Sequence, residues 1–212
     1  VVTGNAIRVA CEMLINAMRK SKKLESGEYR TYDEMIAENI PVHYNGKWAA
    51  SMCTNCDPET AKGDPFSAYM YELFMPEVEV DFEPGQATVV KFTTVADIGT
   101  LTNKATCDGQ IYGGLAQGRG WARTEDFEDW TKHTTLAKCG LPYIYDVPDD
   151  MEIIYNITPR ENGPYGASGV GEGPLTAPHP AILNAIYNAC GVRIYSVPAL
   201  PEKIKAGLNA LK

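Results

Sequence analysis

Apolar and polar positions along the chain recur with different periods, and each period predicts an element. Between residues 3 and 20, Ala6, Val9, Ala10, Met13, Leu14, Ala17 and Met18 return at three-and-four spacing, which gathers them on one face of a helix. Thr3 is placed to cap that helix, and Lys20 with its basic neighbours suits the negative end of the dipole. From Ser21 to about Asp64 the composition turns polar and is punctuated by Gly27, Pro41, Gly46 and Pro58. That predicts irregular surface with one short helix around Tyr32 to Glu38, and a sub-boundary near 60–66.

Alternation takes over next. It runs unevenly from Phe66, then cleanly through Val78, Val80 and Phe82, and the β-rich run from Ala87 to Val95 follows the turn signal Pro84-Gly85-Gln86. This predicts a hairpin, closed by Asp97-Ile98-Gly99, with Asn103 to Gly109 as a connection. A helix is predicted from Gln110 to Phe127 despite four interior glycines, each costing about 1 kcal/mol against alanine. Gly114 and Gly118 lie four apart and so share a face that another backbone can approach closely. Strands are predicted over Met151 to Ile157 and Arg193 to Val197. Helices are predicted from His179 to Cys190, stopped by Gly191, and from Pro201 to Leu211 with Ile204, Leu208 and Leu211 on one side. The fold class expected from this order is α+β, mixed strands packed with helices.

Composition narrows the functions. The chain has 212 residues, 44% hydrophobic and 22% charged, with a formal net charge of −8. A core of useful size is possible, and the acidic balance argues against nonspecific binding to nucleic acid. Apolar runs fall well short of the roughly 20 residues a membrane span requires. The opening Val1-Val2-Thr3-Gly4-Asn5 lacks an initiator Met and a leader pattern, and we read the chain as a piece of something larger. Six cysteines form no regular framework, which favours reduced thiols and a cytoplasmic location. Cys53-Thr54-Asn55-Cys56 is a lone C-x-x-C whose second pair is missing, so no metal site is assigned.

The stretch that carries chemistry is Gly163-Pro164-Tyr165-Gly166-Ala167-Ser168-Gly169-Val170-Gly171-Glu172-Gly173-Pro174. Five glycines fall in the eleven residues 163 to 173. Glycine permits unusual φ and lets backbone approach another molecule, and unpaired N–H groups in such a loop can cradle an anion or a polar cofactor. The spacing does not give G-x-G-x-x-G between a strand and a helix, nor G-K-[ST], so a nucleotide loop is disfavoured. On the residues alone, a tight turn with a solvated Glu172 stays open beside a cofactor loop. His43 and His133 read as exposed, His179 as a helix-start residue with a role beside the site only as the minor alternative, and Asp97, Gln110 and Gln117 as structural hydrogen-bonding groups.

The run Pro159 to Glu172 strongly resembles the last cofactor-binding segment of the molybdenum hydroxylases, the aldehyde oxidoreductase and xanthine dehydrogenase family. The resemblance extends to Thr3-Gly4-Asn5-Ala6, to Val95-Ala96-Asp97-Ile98-Gly99, to Asp108 through Gly118 and to Pro198 through Lys203, so it covers nearly the whole chain. It implies the C-terminal molybdopterin-binding part of a larger subunit, with residues 1–212 as one domain. It further implies a molybdenum cofactor, in the cytosine dinucleotide form, held without a protein side chain on the metal. Glu172 would be the general base acting on the water that supplies the product's oxygen. Gly169, Val170 and Gly171 would make backbone contacts to the cofactor, with Thr3, Gly4 and Asn5 approaching from the other side.

An aldehyde or an N-heterocycle is the substrate class so implied. The expected partners are an upstream molybdenum-binding domain or subunit, an iron–sulfur domain or subunit carrying [2Fe–2S] clusters, and a second copy in an oligomer. Without the rest of the enzyme the chain would be inactive. Gly173 departs from the larger residue that often follows this glutamate. A different class of function, a cofactor-free remnant serving as a binding or assembly module, is the alternative.

Overall fold

The N-terminal amphipathic pattern folds as α1 (Val2–Met18) in the computed structural model, which describes residues 1–20 and 28–212. Val1 rather than Thr3 takes the cap position, because the Val1 carbonyl already accepts from the Asn5 N–H at 3.0 Å. Thr3 thus lies inside the first turn, exposed, and caps nothing. The apolar stripe of α1 is only partly covered: Asn5 is the one buried residue of the helix, and Met13 stands exposed. The short helix is α2 (Tyr32–Ala37), and its start is a reciprocal cap. Thr31 Oγ1 accepts from Glu34 N at 3.2 Å while the Glu34 carboxylate accepts from Thr31 N at 2.7 Å, satisfying two donors the helix would leave open. Of the irregular stretch predicted from Ser21, residues 21–27 lie outside the described residues.

These helices belong to one of two units, Val1–Tyr69 with Pro159–Ser168. The other comprises Met70–Thr158 with Gly169–Lys212. In the second unit the alternating run forms the predicted hairpin, β1 (Tyr71–Asp81) antiparallel to β2 (Gln86–Asp97), turning at Gly85 with φ +78°. A bulge between Glu77 and Val78 shifts the register.

The next helix, α3 (Lys104–Arg123), starts six residues before the predicted Gln110. Asn103 is the reason: its side chain accepts from Thr106 N at 3.1 Å, a cap hidden in what reads as a connection. The helix also ends earlier than Phe127. Arg123 is buried and donates to the Ala87 carbonyl, at 2.7 and 3.1 Å, and to the Ala199 carbonyl, fixing the last turn to β2 and to the C-terminal segment. Burial, with Arg119 nearby, lowers its guanidinium to about 10, still a cation at neutrality.

β3 (Asp150–Tyr155) then pairs parallel with β2, giving a mixed sheet in the order β1-β2-β3, and the fold is α+β. One turn of helix, α4 (Gly173–Thr176), precedes α5 (Pro178–Cys190). Gly191 ends α5 at φ +74°, its N–H on the Tyr187 carbonyl at 2.8 Å. No strand forms over Arg193 to Val197; Val192 and Ile194 instead bury their side chains from irregular backbone, Val192 against Gly207 of α6 (Pro201–Ala210). Leu211 lies beyond the end of α6 and is exposed, so only Ile204 and Leu208 of the predicted apolar side reach the core.

The core of this unit gathers one face each of the sheet and three helices. Phe92, Ile111, Leu115, Ile182, Ile186 and Ile204 are fully buried. Each such side chain contributes on the order of 1.5–3 kcal/mol over its exposed state. The other face of the sheet carries an apolar row across the three strands, Leu73 beside Val95 beside Ile154, with Leu73 and Ile154 exposed.

Candidate functional site

Glu172 sits at the cap position of α4, with backbone φ −113° and ψ −4°, and its carbonyl accepts from Leu175 N at 3.1 Å. Its side chain is exposed and lines a pocket of ≈ 360 Å³ with Gly171, Leu175, Gly109, Gln110, Gly113, Gly114 and Gln117. The opposite wall is thus one face of α3, since 109/110, 113/114 and 117 recur at helical spacing. Two packing features fix that wall. Pro174 abuts Gly114, where a Cβ would lie 2.5 Å from Pro174 Cβ, and Pro178 abuts Gly118 at 2.6 Å. The close approach predicted for Gly114 and Gly118 is therefore made, by two prolines with the same four-residue spacing.

Gly109 and Gly113 are different. A Cβ at either would meet nothing within 4 Å, and the same holds for Gly169 and Gly171 in the loop. Backbone at these four positions faces open space. Val170, between the last two, packs its side chain against the core and so anchors the loop. The start of α3 is tied down as well: Tyr155 Oη donates to Asp108 Oδ1 at 2.7 Å, and Lys104 Nζ reaches Asp108 Oδ2 at 2.6 Å. The Lys104 hydrogen bond, then that of Tyr155, holds the Asp108 carboxyl below its ordinary range; burial and Asp108 together push the Tyr155 phenol up.

Asp97, at the end of β2, accepts from Gly99 N at 3.2 Å, Asn156 Nδ2 at 3.2 Å and Thr158 N at 3.4 Å, fixing the exits of two parallel strands together. Gln110 and Gln117, read from sequence as structural, instead face the pocket. Their signal was present: an i, i+7 pair of amides flanked by glycines on one helical face. His133 is half-buried, its Nδ1 accepting from Asp129 N at 3.3 Å, whereas His43 is exposed. His179 lies edge-on to Trp121, ring centroids 5.7 Å apart, and burial lowers its pKa.

Thr3, Gly4 and Asn5 belong to the other unit. There Asn5 is buried and donates through Nδ2 to the Asn162 carbonyl at 2.8 Å, and Gly4 leaves room for the ring of Pro164. Asn5 also lines a polar pocket of ≈ 400 Å³ with Arg8, Trp48, Glu161, Asn162 and Tyr165, the last held at φ +52°. Among the described residues, no group of three or more His, Cys, Asp or Glu side chains is placed to hold a metal ion, and no helix is long and apolar enough to cross a membrane.

Comparison with known proteins places the chain in a family. Residues 1–148 match the molybdopterin cofactor-binding domain family, and the chain belongs to it. It is 55% identical over 210 residues, 99% of its length, to the aldehyde oxidoreductase of Megalodesulfovibrio gigas. The solved aldehyde oxidoreductase from Desulfovibrio gigas superposes with a TM-score of 0.92 at 55% identity, covering 98% of this chain and 22% of that one. The aldehyde oxidoreductase from Desulfovibrio desulfuricans does so with a TM-score of 0.89 at 56% identity, covering the same shares. The chain therefore spans just under a quarter of the length of the relatives it matches, 23% of the first.

Proposed function

We propose that this chain supplies one wall and the general base of a molybdopterin-dependent oxidoreductase that oxidises an aldehyde or an N-heterocycle with water as the oxygen source. The observation that carries the reading is the exposed Glu172 carboxylate in a pocket it shares with the open backbone of Gly109, Gly113 and Gly171, the amides of Gln110 and Gln117, and Leu175 and Gly114. The fit to the cofactor rests on the same geometry. A flat, polar pterin needs backbone it can approach closely, and Gly109, Gly113, Gly169 and Gly171 present it without a Cβ in the way. Gln110 and Gln117 bring amide donors and acceptors suited to its edges.

When bound, the molybdenum–pterin group, in its cytosine dinucleotide form, supplies the two-electron redox chemistry. Glu172 accepts the proton that water gives up on becoming the product's oxygen, a contribution typically of about 10²–10⁴-fold in rate. Gly169, Val170 and Gly171 hold the cofactor through backbone contacts; Thr3, Gly4 and Asn5 are cofactor-binding candidates of the other unit, taken by themselves. Glutamate's extra methylene lets the carboxylate reach into the pocket while the backbone stays anchored by Val170.

The remaining three-quarters of the subunit, and iron–sulfur domains carrying [2Fe–2S] clusters, complete the enzyme in our reading. The exposed Phe127, Trp130, Leu136, Tyr143, Ile144 and Tyr145 after α3 support such a partner, because side chains of this size are costly to leave in water. Six free cysteines are in keeping with a reducing, cytosolic location.

The test is Glu172→Gln in the complete enzyme, with turnover and molybdenum content measured together. Turnover is expected to be abolished with molybdenum near normal; retention of most activity overturns the assignment of Glu172 as base.

A further inference from the structure

A second carboxyl lies behind Glu172. Along β1 the residues Tyr71, Leu73, Met75, Glu77, Glu79 and Asp81 are exposed, and the alternate set, Glu72, Phe74, Pro76, Val78 and Val80, turns toward the core side, where α4 and α5 pack. Glu72 is the only charged member of that inward set. Its Oε1 is buried and has no hydrogen-bond partner among the described residues. Its Oε2 lies 3.0 Å from the point where a Cβ on Gly173 would be, and the thioether of Met70 fills the rest of that space. Both side chains thus end in the space beside Gly173, where a Cβ would make their flexible tips shift.

We propose that Glu72 is a positioning residue for Glu172: packed against Gly173, its carboxyl holds the 171–173 turn in the geometry that presents Glu172 to the pocket. The catalytic consequence rests on the reading of Glu172 as general base; the contact itself does not. A neutral carboxyl tolerates this enclosure better than a carboxylate, whose buried, undonated oxygen would carry charge without a partner. Burial raises the group from the ordinary 4.5 to about 7.

Other titratable groups on the elements packed against β1 are Lys91 and Asp97 of β2, His179, Tyr187 and Cys190 of α5, and Glu172 just before α4. Lys91 is engaged by Asp150 at 3.7 Å and Glu152 at 3.9 Å, and Asp97 by the strand ends. Ionisation of Glu72 therefore loosens the turn, and the turn moves Glu172.

The test is amide hydrogen exchange of residues 169–177 in the complete enzyme at about pH 6 and about pH 8, corrected for intrinsic rates. In the natural protein exchange in this segment is expected to rise roughly threefold or more at the higher pH. Glu72→Gln, which keeps the shape and cannot ionise, should abolish that rise. Glu72→Asp, a methylene short of Gly173, should exchange fast at both. In turnover, kcat of the natural enzyme falls above neutrality at nearly constant KM, and Glu72→Gln flattens the fall. Glu172→Gln removes turnover yet leaves the exchange response intact, so a failure of the base assignment and a failure of this one look different. An exchange response in Glu72→Gln equal to that of the natural protein, or none in the natural protein, overturns the proposal.

Discussion

Helix α3 carries two sets of glycines that look alike in sequence and act in opposite ways. Gly114 and Gly118 are buried against Pro174 and Pro178, and their missing Cβ atoms let the two prolines come within contact distance. At Gly109 and Gly113, on the adjoining face, a Cβ would meet only open space. The first pair strengthens packing to offset poor helix propensity; the second weakens the helix with no packing gain. A weak spot kept on a pocket wall points to a ligand that comes up against backbone.

Substitutions separate the two sets. The largest effect is expected from Gly118→Val, which drives a branched side chain into Pro178 and should cost about 3 kcal/mol or more in denaturant unfolding. Gly114→Ala is milder, a net loss of roughly 1–2 kcal/mol after the gain in helix propensity. Gly113→Ala should reverse the sign, stabilising by up to about 1 kcal/mol while lowering the molybdenum retained by the complete enzyme. Equal destabilisation by Gly113→Ala and Gly114→Ala would remove the distinction.

The smallest expected effect is a pH slope. The Glu72 carboxyl is raised in the folded state, so between 4.5 and about 7 the folded chain holds a proton that the unfolded chain has lost. Stability therefore falls as pH rises through that window, the reverse of a salt-bridged carboxylate. Glu72→Gln should be more stable than the natural protein above neutrality and converge with it toward pH 4.5. Paired unfolding curves across the window measure this.

Much of the frame was legible because it depends on local periods. The hairpin, α5 with its Gly191 stop and the glycine face of α3 all follow from spacing within a few residues. The failures have physical causes of longer range. The start of α3 was hidden by Asn103, whose capping role depends on a backbone bend that composition does not announce. The end of α3 is set by Arg123 reaching Ala87 and Ala199, partners 36 and 76 residues away. Arg193 to Val197 has strand-like residues but no strand beside it to pair with. At the site, the Gly169–Glu172 loop was readable from its glycines; the i, i+7 spacing of Gln110 and Gln117 was in the sequence too, but only α4, by placing Glu172 opposite them, gives that face a pocket to line. Glu72 was not legible at all, since nothing in Tyr71-Glu72-Leu73 says which face will be covered.

The open glycines bear on ancestry as well as chemistry. A lineage that stopped binding a cofactor would be released from whatever keeps Gly109 and Gly113 bare, and drift would fill them with alanine or any better helix former, while Gly114 and Gly118 would stay under selection for folding alone. The two pairs therefore work as a clock and its control. In this chain both pairs are glycine, the pattern expected if the proposed cofactor pocket is in use.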